Sequence, residues 1–175
     1  MVSFYTNNPY VELARKALET YIINRQVIIP ASDLPDDMIK RKAGVFVVIK
    51  KNNQFRGCIG TMQPTRENIA LEIIQNAISA GTRDPRFYPV SKDELADLVY
   101  FVDVIKQYEQ VESLEELDVK KYGLAVMTEY KVGLILPDIE GIETPEHQLY
   151  IALGKAGIEP SENYRIYRFT VTRYS

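Results

Sequence analysis

The sequence predicts an α+β fold in which one unit, a β-hairpin followed by a helix and a further strand, occurs twice. Three observations carry the prediction. Short β-branched runs and amphipathic stretches follow one another in the same order in both halves of the chain. Turn signals separate them at matching places. Landmark residues recur at similar offsets: Gly44 with Gly123, Gly57 with Gly133, and Ile69-Ala70 with Ile151-Ala152, at 79, 76 and 82 positions. The repeats are read as residues 43–106 and 122–174 of a single domain, 1–175.

Taken in order, Asn8 caps a first helix with Pro9 in its first turn. Val11, Ala14, Leu18, Tyr21 and Ile22 give it an apolar stripe to about Asn24. A polar loop around Pro30–Pro35 follows. Val45–Ile49 is apolar on both faces and reads as a buried strand. Lys51–Gln54 is a hairpin turn, and the strand holding Cys58 comes next. Pro64 and Thr65 are expected to open a second helix, striped by Ile69, Ile73, Ala77 and Ala80 and ended by Gly81. Ser91 with Glu94 forms a capping box for a short turn. Val99–Ile105 is a strand.

The second half repeats the order. Gly123–Met127 and Val132–Leu136 are strands about a turn at Glu129–Lys131. Thr144-Pro145 opens a helix that ends at Gly157, and Tyr164–Tyr174 is a final alternating strand.

Composition excludes several classes. A hydrophobic fraction of 46% and a charged fraction of 26% belong to an ordinary globular chain, with no run long enough to span a membrane. Residues Met1–Asn8 lack the pattern of a signal peptide, and one cysteine allows no internal disulfide, so a cytoplasmic location is expected. A net charge of −3 disfavours nucleic-acid binding. With one cysteine and one histidine, His147, a Cys/His zinc site is excluded, and no metal ligands are assigned. His147 reads as a partly exposed residue in a helical first turn.

The chemistry-bearing stretch is Arg56-Gly57-Cys58-Ile59-Gly60-Thr61. In an extended strand Phe55 and Ile59 share one face, and Arg56 and Cys58 share the other. A thiol beside a guanidinium and near the start of the next helix is placed to favour a thiolate. Gly57 and Gly60 allow a backbone or ligand to approach closely. Arg56, Arg83 and Arg86 are the residue type that grips carboxylate or phosphate through a two-pronged fork, and Pro85 fixes the turn that carries Asp84. Cys58 is read either as a buried small hydrophobe or as a nucleophilic or redox-sensitive thiol.

These motifs resemble the AMMECR domain family, whose microbial members are called AmmeMemoRadiSam system protein A. The carrying residues are Phe55–Thr61, then Asp84-Pro85-Arg86-Phe87 with Pro89, then Ser91–Leu95, Gly133–Pro137 and Lys155–Ile158. The resemblance covers nearly the whole chain. It implies two β-β-α-β-like repeats sharing one curved, barrel-like, mainly antiparallel sheet flanked by helices. It also implies association with a Memo-type protein and a radical SAM enzyme, and it brings no established activity or cofactor. His147 departs from the acidic or amide residue of similar sequences, so the resemblance does not support a Cys-His dyad.

Two functions are therefore expected. The first is an enzyme or enzyme component that binds an anionic small molecule or modified side chain. Cys58 would be its candidate catalytic residue, and Arg56, Gly57, Gly60, Arg83, Asp84 and Arg86 its binding residues. The second is a non-catalytic docking module for the partner proteins.

Overall fold

The structure, a computed structural model, describes residues 8–175. The leader reading of Met1–Asn8 therefore falls, except for Asn8, outside the described residues. The elements are α1 (Pro9–Asn24), α2 (Asp36–Lys40), β1 (Val45–Lys51), β2 (Gln54–Gly60), α3 (Ile69–Thr82), β3 (Leu98–Val111), β4 (Gly123–Met127), β5 (Val132–Ile135), α4 (Pro145–Ala156) and β6 (Arg165–Tyr174). The six strands form one sheet in the order β2-β1-β3-β6-β4-β5, which leaves β2 and β5 at its edges. The β1–β2, β1–β3, β4–β5 and β4–β6 pairs are antiparallel. This is the predicted α+β class.

The chain divides into two compact units. One comprises the described residues up to Val104 together with Thr172–Ser175, and the other comprises Ile105–Val171. In the first unit Asn8 accepts the Tyr10 N–H and starts α1 as expected. Helix α3 covers one face of β1 and packs on α1, and there Val45, Val47 and Ile49 join Leu18, Ile69, Ile73 and Ala77 in a buried core. Asn52 and Asn53 both adopt positive φ, the conformation a two-residue hairpin turn requires. Asp103 is buried and held by Nε and Nη2 of Arg173, each at 2.8 Å.

In the second unit, Leu124, Val126, Ile135, Ala152 and Leu153 form a separate core. Thr144 caps α4, and Gly157 ends it at φ 62°. The buried Gln148 of α4 donates its amide to the Tyr122 carbonyl. Asn76 of α3 donates in the same way to the Val45 carbonyl.

Four expectations need correction. Helix α3 begins at Ile69, not at Pro64, because Asn68 is its cap and Glu72 takes the N–H groups of Thr65 and Arg66. Strand β3 runs on to Val111, since its polar second half, Lys106–Gln110, continues the extended backbone. The loop after α1 contains the short helix α2, started behind Pro35.

The fourth concerns the alternation of β2. Ile49 opposes Gly57 and Lys50 opposes Phe55, so Arg56 is the extra residue of a β-bulge. Cross-strand partners share a face, and Val48 and Lys50 share one by the period of two. Phe55, opposite Lys50, and Cys58, opposite Val48, therefore lie on the same face.

Candidate functional site

Five of the six residues of the Arg56–Thr61 stretch tie the edge strand β2 to its surroundings in the first unit. Arg56, only 16% exposed, sends Nε and Nη2 to the two oxygens of Glu94 at 2.9 and 2.8 Å. Its Nη1 donates to the Tyr88 carbonyl at 2.9 Å. Gly57 lies against α3, where a Cβ would collide with the Ala80 carbonyl oxygen. The Cys58 N–H donates to Asp84 Oδ2 at 2.9 Å. Gly60 leaves room for the Phe46 ring. Thr61 donates its hydroxyl to Glu72 at 2.7 Å.

Asp84 is the second anchor. Its side chain is 2% exposed and accepts the Arg86 N–H and Nε at 3.0 Å each, and Arg86 Nη2 at 2.8 Å. Burial alone would raise its carboxyl. The Arg86 fork and the N–H groups of Cys58 and Arg86 outweigh burial and hold the group below the usual carboxylate range. Asp84 in turn raises Arg86, with a smaller contribution from the neighbouring Cys58. The Arg56 fork, with the Ser91 N–H and Lys51 behind it, holds Glu94 down to about 2.

These bonds fix the loop from Asp84 to Pro89. The Phe87 N–H donates to the Asp84 carbonyl and the Val90 N–H to the Gly81 carbonyl at 2.7 Å. At the loop's tip Tyr88 is 91% exposed. Arg56, Pro85, Arg86, Phe87, Tyr88 and Pro89 line an open cleft of about 720 Å³.

The structure thus gathers Arg56, Gly57, Cys58, Asp84 and Arg86 around one loop. Gly60 packs instead on the Phe46 ring. Arg83 caps the C-terminal end of α3 through its backbone, with an exposed side chain. His147 is exposed in the first turn of α4, as read. The helix beside Gly57 and Cys58 presents its C-terminal end, marked by Ala80 and Asp84, not its start. The dipole there carries partial negative charge, so it does not supply the thiolate support expected from the sequence.

Glu72 was not singled out from the sequence. It is fully buried and accepts from Thr61, from the Thr65 N–H and hydroxyl, and from the Arg66 N–H, at 2.7–2.8 Å. The available signal was one glutamate set within the apolar run of α3. Among the described residues, no three His, Cys, Asp or Glu side chains are grouped to hold a metal ion, and no helix is long and apolar enough to cross a membrane.

Comparison with known proteins agrees with this fold. The AMMECR1 family model matches residues 11–174. A Thermotoga maritima protein is 51% identical over 169 residues, covering 95% of this chain and 97% of that one. A Clostridium acetobutylicum protein is 50% identical over 168 residues, covering 95% of this chain but only 36% of the longer relative. The crystal structure of the uncharacterized protein PH0010 from Pyrococcus horikoshii superposes with a TM-score of 0.86 at 32% identity, covering 94% of this chain and 88% of that one.

Proposed function

The chain belongs to the AMMECR1 family, and on that premise we propose that it acts as a docking module that presents the Asp84–Pro89 loop to another protein. One observation carries the reading. The third hydrogen bond of Arg56 goes to the Tyr88 carbonyl, so the arginine of the main motif holds the backbone of an almost wholly exposed tyrosine. Rigid aromatic residues beside arginine make strong interface anchors, and a loop ordered in advance loses little entropy on binding. In the Clostridium acetobutylicum relative the matched region is about a third of a longer chain. Attachment to a further segment raises the effective concentration of parts that work together. The Memo-type protein and radical SAM enzyme implied by the resemblance are the proposed partners. The cytoplasm is the proposed place, on the ground of the single cysteine.

The test is a benzophenone amino acid in place of Tyr88, irradiated in the native host. The reading expects one recurring protein to be captured at position 88 and not from the same probe at Tyr150, which is also exposed. The same adducts from both positions would overturn it.

A second reading is a site for an anionic small molecule or modified side chain, with Cys58 as a reactive thiol and Arg83 among its binding residues. It is favoured by one observation: Arg86, 52% exposed, lies within electrostatic reach of Cys58. Loss of function in both Cys58→Ser and Cys58→Ala, at unchanged stability, would support this reading over docking alone.

A further inference from the structure

Resting on the docking reading, we infer that the segment received by this loop is acidic: an extended stretch of another protein with carboxylates around an apolar side chain. Charge and shape lead to this from different directions.

The loop's one acid faces inward, and the cations on it and beside it face outward. From Arg83 to Lys92 the only acid is Asp84, which is buried on Cys58 and Arg86. Arg83, Arg86 and Lys92 remain exposed. Asp93, next to Lys92, is exposed as well, so the cationic stretch ends at Lys92. The ten residues Arg83–Lys92 thus carry three exposed cations and one buried acid, in a chain whose net charge is −3. Such an arrangement attracts an acidic partner and rejects a basic one.

The hydrogen-bonding geometry favours a polymer over a small anion at Arg56 and Arg86. A lone phosphate or carboxylate is gripped best by an arginine fork. The Nε–Nη2 edge of Arg56 is already on Glu94, and the same edge of Arg86 is already on Asp84. The cations that flank the loop, Arg83 and Lys92, stand nine residues apart in the chain, which suits charges spread along a peptide. Between the cations the surface is apolar and stiff. Pro85, Phe87 and Pro89 line the cleft with Tyr88, and the Arg86 guanidinium stands 5.5 Å from the centroid of the Phe87 ring. An apolar side chain fits that part and the flanking carboxylates meet the cations.

The experiment is selection of random peptides displayed on phage against the intact protein, with counter-selection on Tyr88→Ala. The expected outcome is Tyr88-dependent peptides enriched in Asp and Glu around one apolar residue. The best of these should bind about tenfold or more weakly to an Arg83→Glu, Lys92→Glu double variant and should weaken steeply with salt. Tyr88-dependent peptides that are neutral or basic would overturn the inference and leave the docking reading standing. Failure to enrich any Tyr88-dependent peptide would count against the docking reading itself. Displacement of the selected peptide by inorganic phosphate, at concentrations where chloride has no effect, would overturn the inference in favour of a small-anion site.

Discussion

The carboxylate of Asp84 accepts the backbone N–H of Cys58 at 2.9 Å, which occupies one outward donor of the edge strand β2. An unpaired edge invites another strand, and a side chain bonded to it blocks that pairing. At the other edge Lys155 Nζ donates to the Leu134 carbonyl of β5. Cys58 and Leu134 each follow the glycine that packs on a helix carbonyl, Gly57 on Ala80 and Gly133 on Ala152.

Asp84→Asn should loosen the β2 edge. The Arg86 ion pair is lost while one oxygen remains to accept the Cys58 N–H. Charge-assisted hydrogen bonds contribute about 1.5–3 kcal/mol, so a loss in that range is expected in denaturant melts. Modification of the Cys58 thiol in the folded protein should become faster. Unchanged stability together with an unchanged thiol rate would show that the clamp is not what orders this edge.

Acid should weaken the first unit through Glu94. Its folded-state group is held down to about 2, mainly by Arg56, from an ordinary value of 4.5. A lowered carboxyl contributes stability that is fully present above the unfolded value and is lost as pH falls toward the folded one. Asp84 is shifted in the same direction and adds to the loss. The stability difference between the protein and Glu94→Gln should therefore be constant at neutral pH and shrink from about pH 4.5 toward 2. A difference that stayed level through that window would separate Glu94 from the acid sensitivity.

Gly57→Ala should be costly, because the new methyl meets a backbone carbonyl that cannot turn aside. Overpacking of this kind costs roughly 1–3 kcal/mol. Gly133→Ala meets the Ala152 carbonyl in the same way and should cost about as much. The two contacts, like the Asn76 and Gln148 amide bonds, are of one kind in the two units. They pair residues differently from the offsets read in the sequence. Ala80 matches Ala152, ten residues away from the alignment suggested by Ile69-Ala70 and Ile151-Ala152. A mild effect at one glycine and a severe effect at the other would speak against equivalent packing.

Local chemistry was legible in the sequence. The Asn8 cap, the Asn52-Asn53 turn, the Ser91–Glu94 box and the Gly157 stop are each decided within a few residues, and each is found. Pairings across long separations were not. Nothing near Arg56 says that its fork closes on Glu94, 38 residues on, or that the Cys58 N–H meets Asp84, 26 residues on. The bulge at Arg56 depends on the register against β1, which a single strand's pattern does not contain. The start of α3 was misplaced because Pro64-Thr65 looks like an opening, while a buried glutamate holds those residues in a loop.

The last prediction separates holding the loop from contacting the partner. Arg56→Lys keeps the charge but loses the planar fork, so the Glu94 pair and the Tyr88 carbonyl bond cannot both be kept in their present geometry. Tyr88→Ala removes a side chain that is 91% exposed and should leave stability within about 0.5 kcal/mol. Both variants should weaken partner capture, but in different ways. Amide hydrogen exchange at Phe87 and Val90 should quicken in Arg56→Lys, because their bonds to Asp84 and Gly81 depend on a fixed loop. It should stay at the parent rate in Tyr88→Ala. If Arg56 instead touched an anionic ligand through its charge, lysine would preserve much of the binding, and any loss would come without faster exchange. Capture that survives Tyr88→Ala would move the docking surface away from this loop.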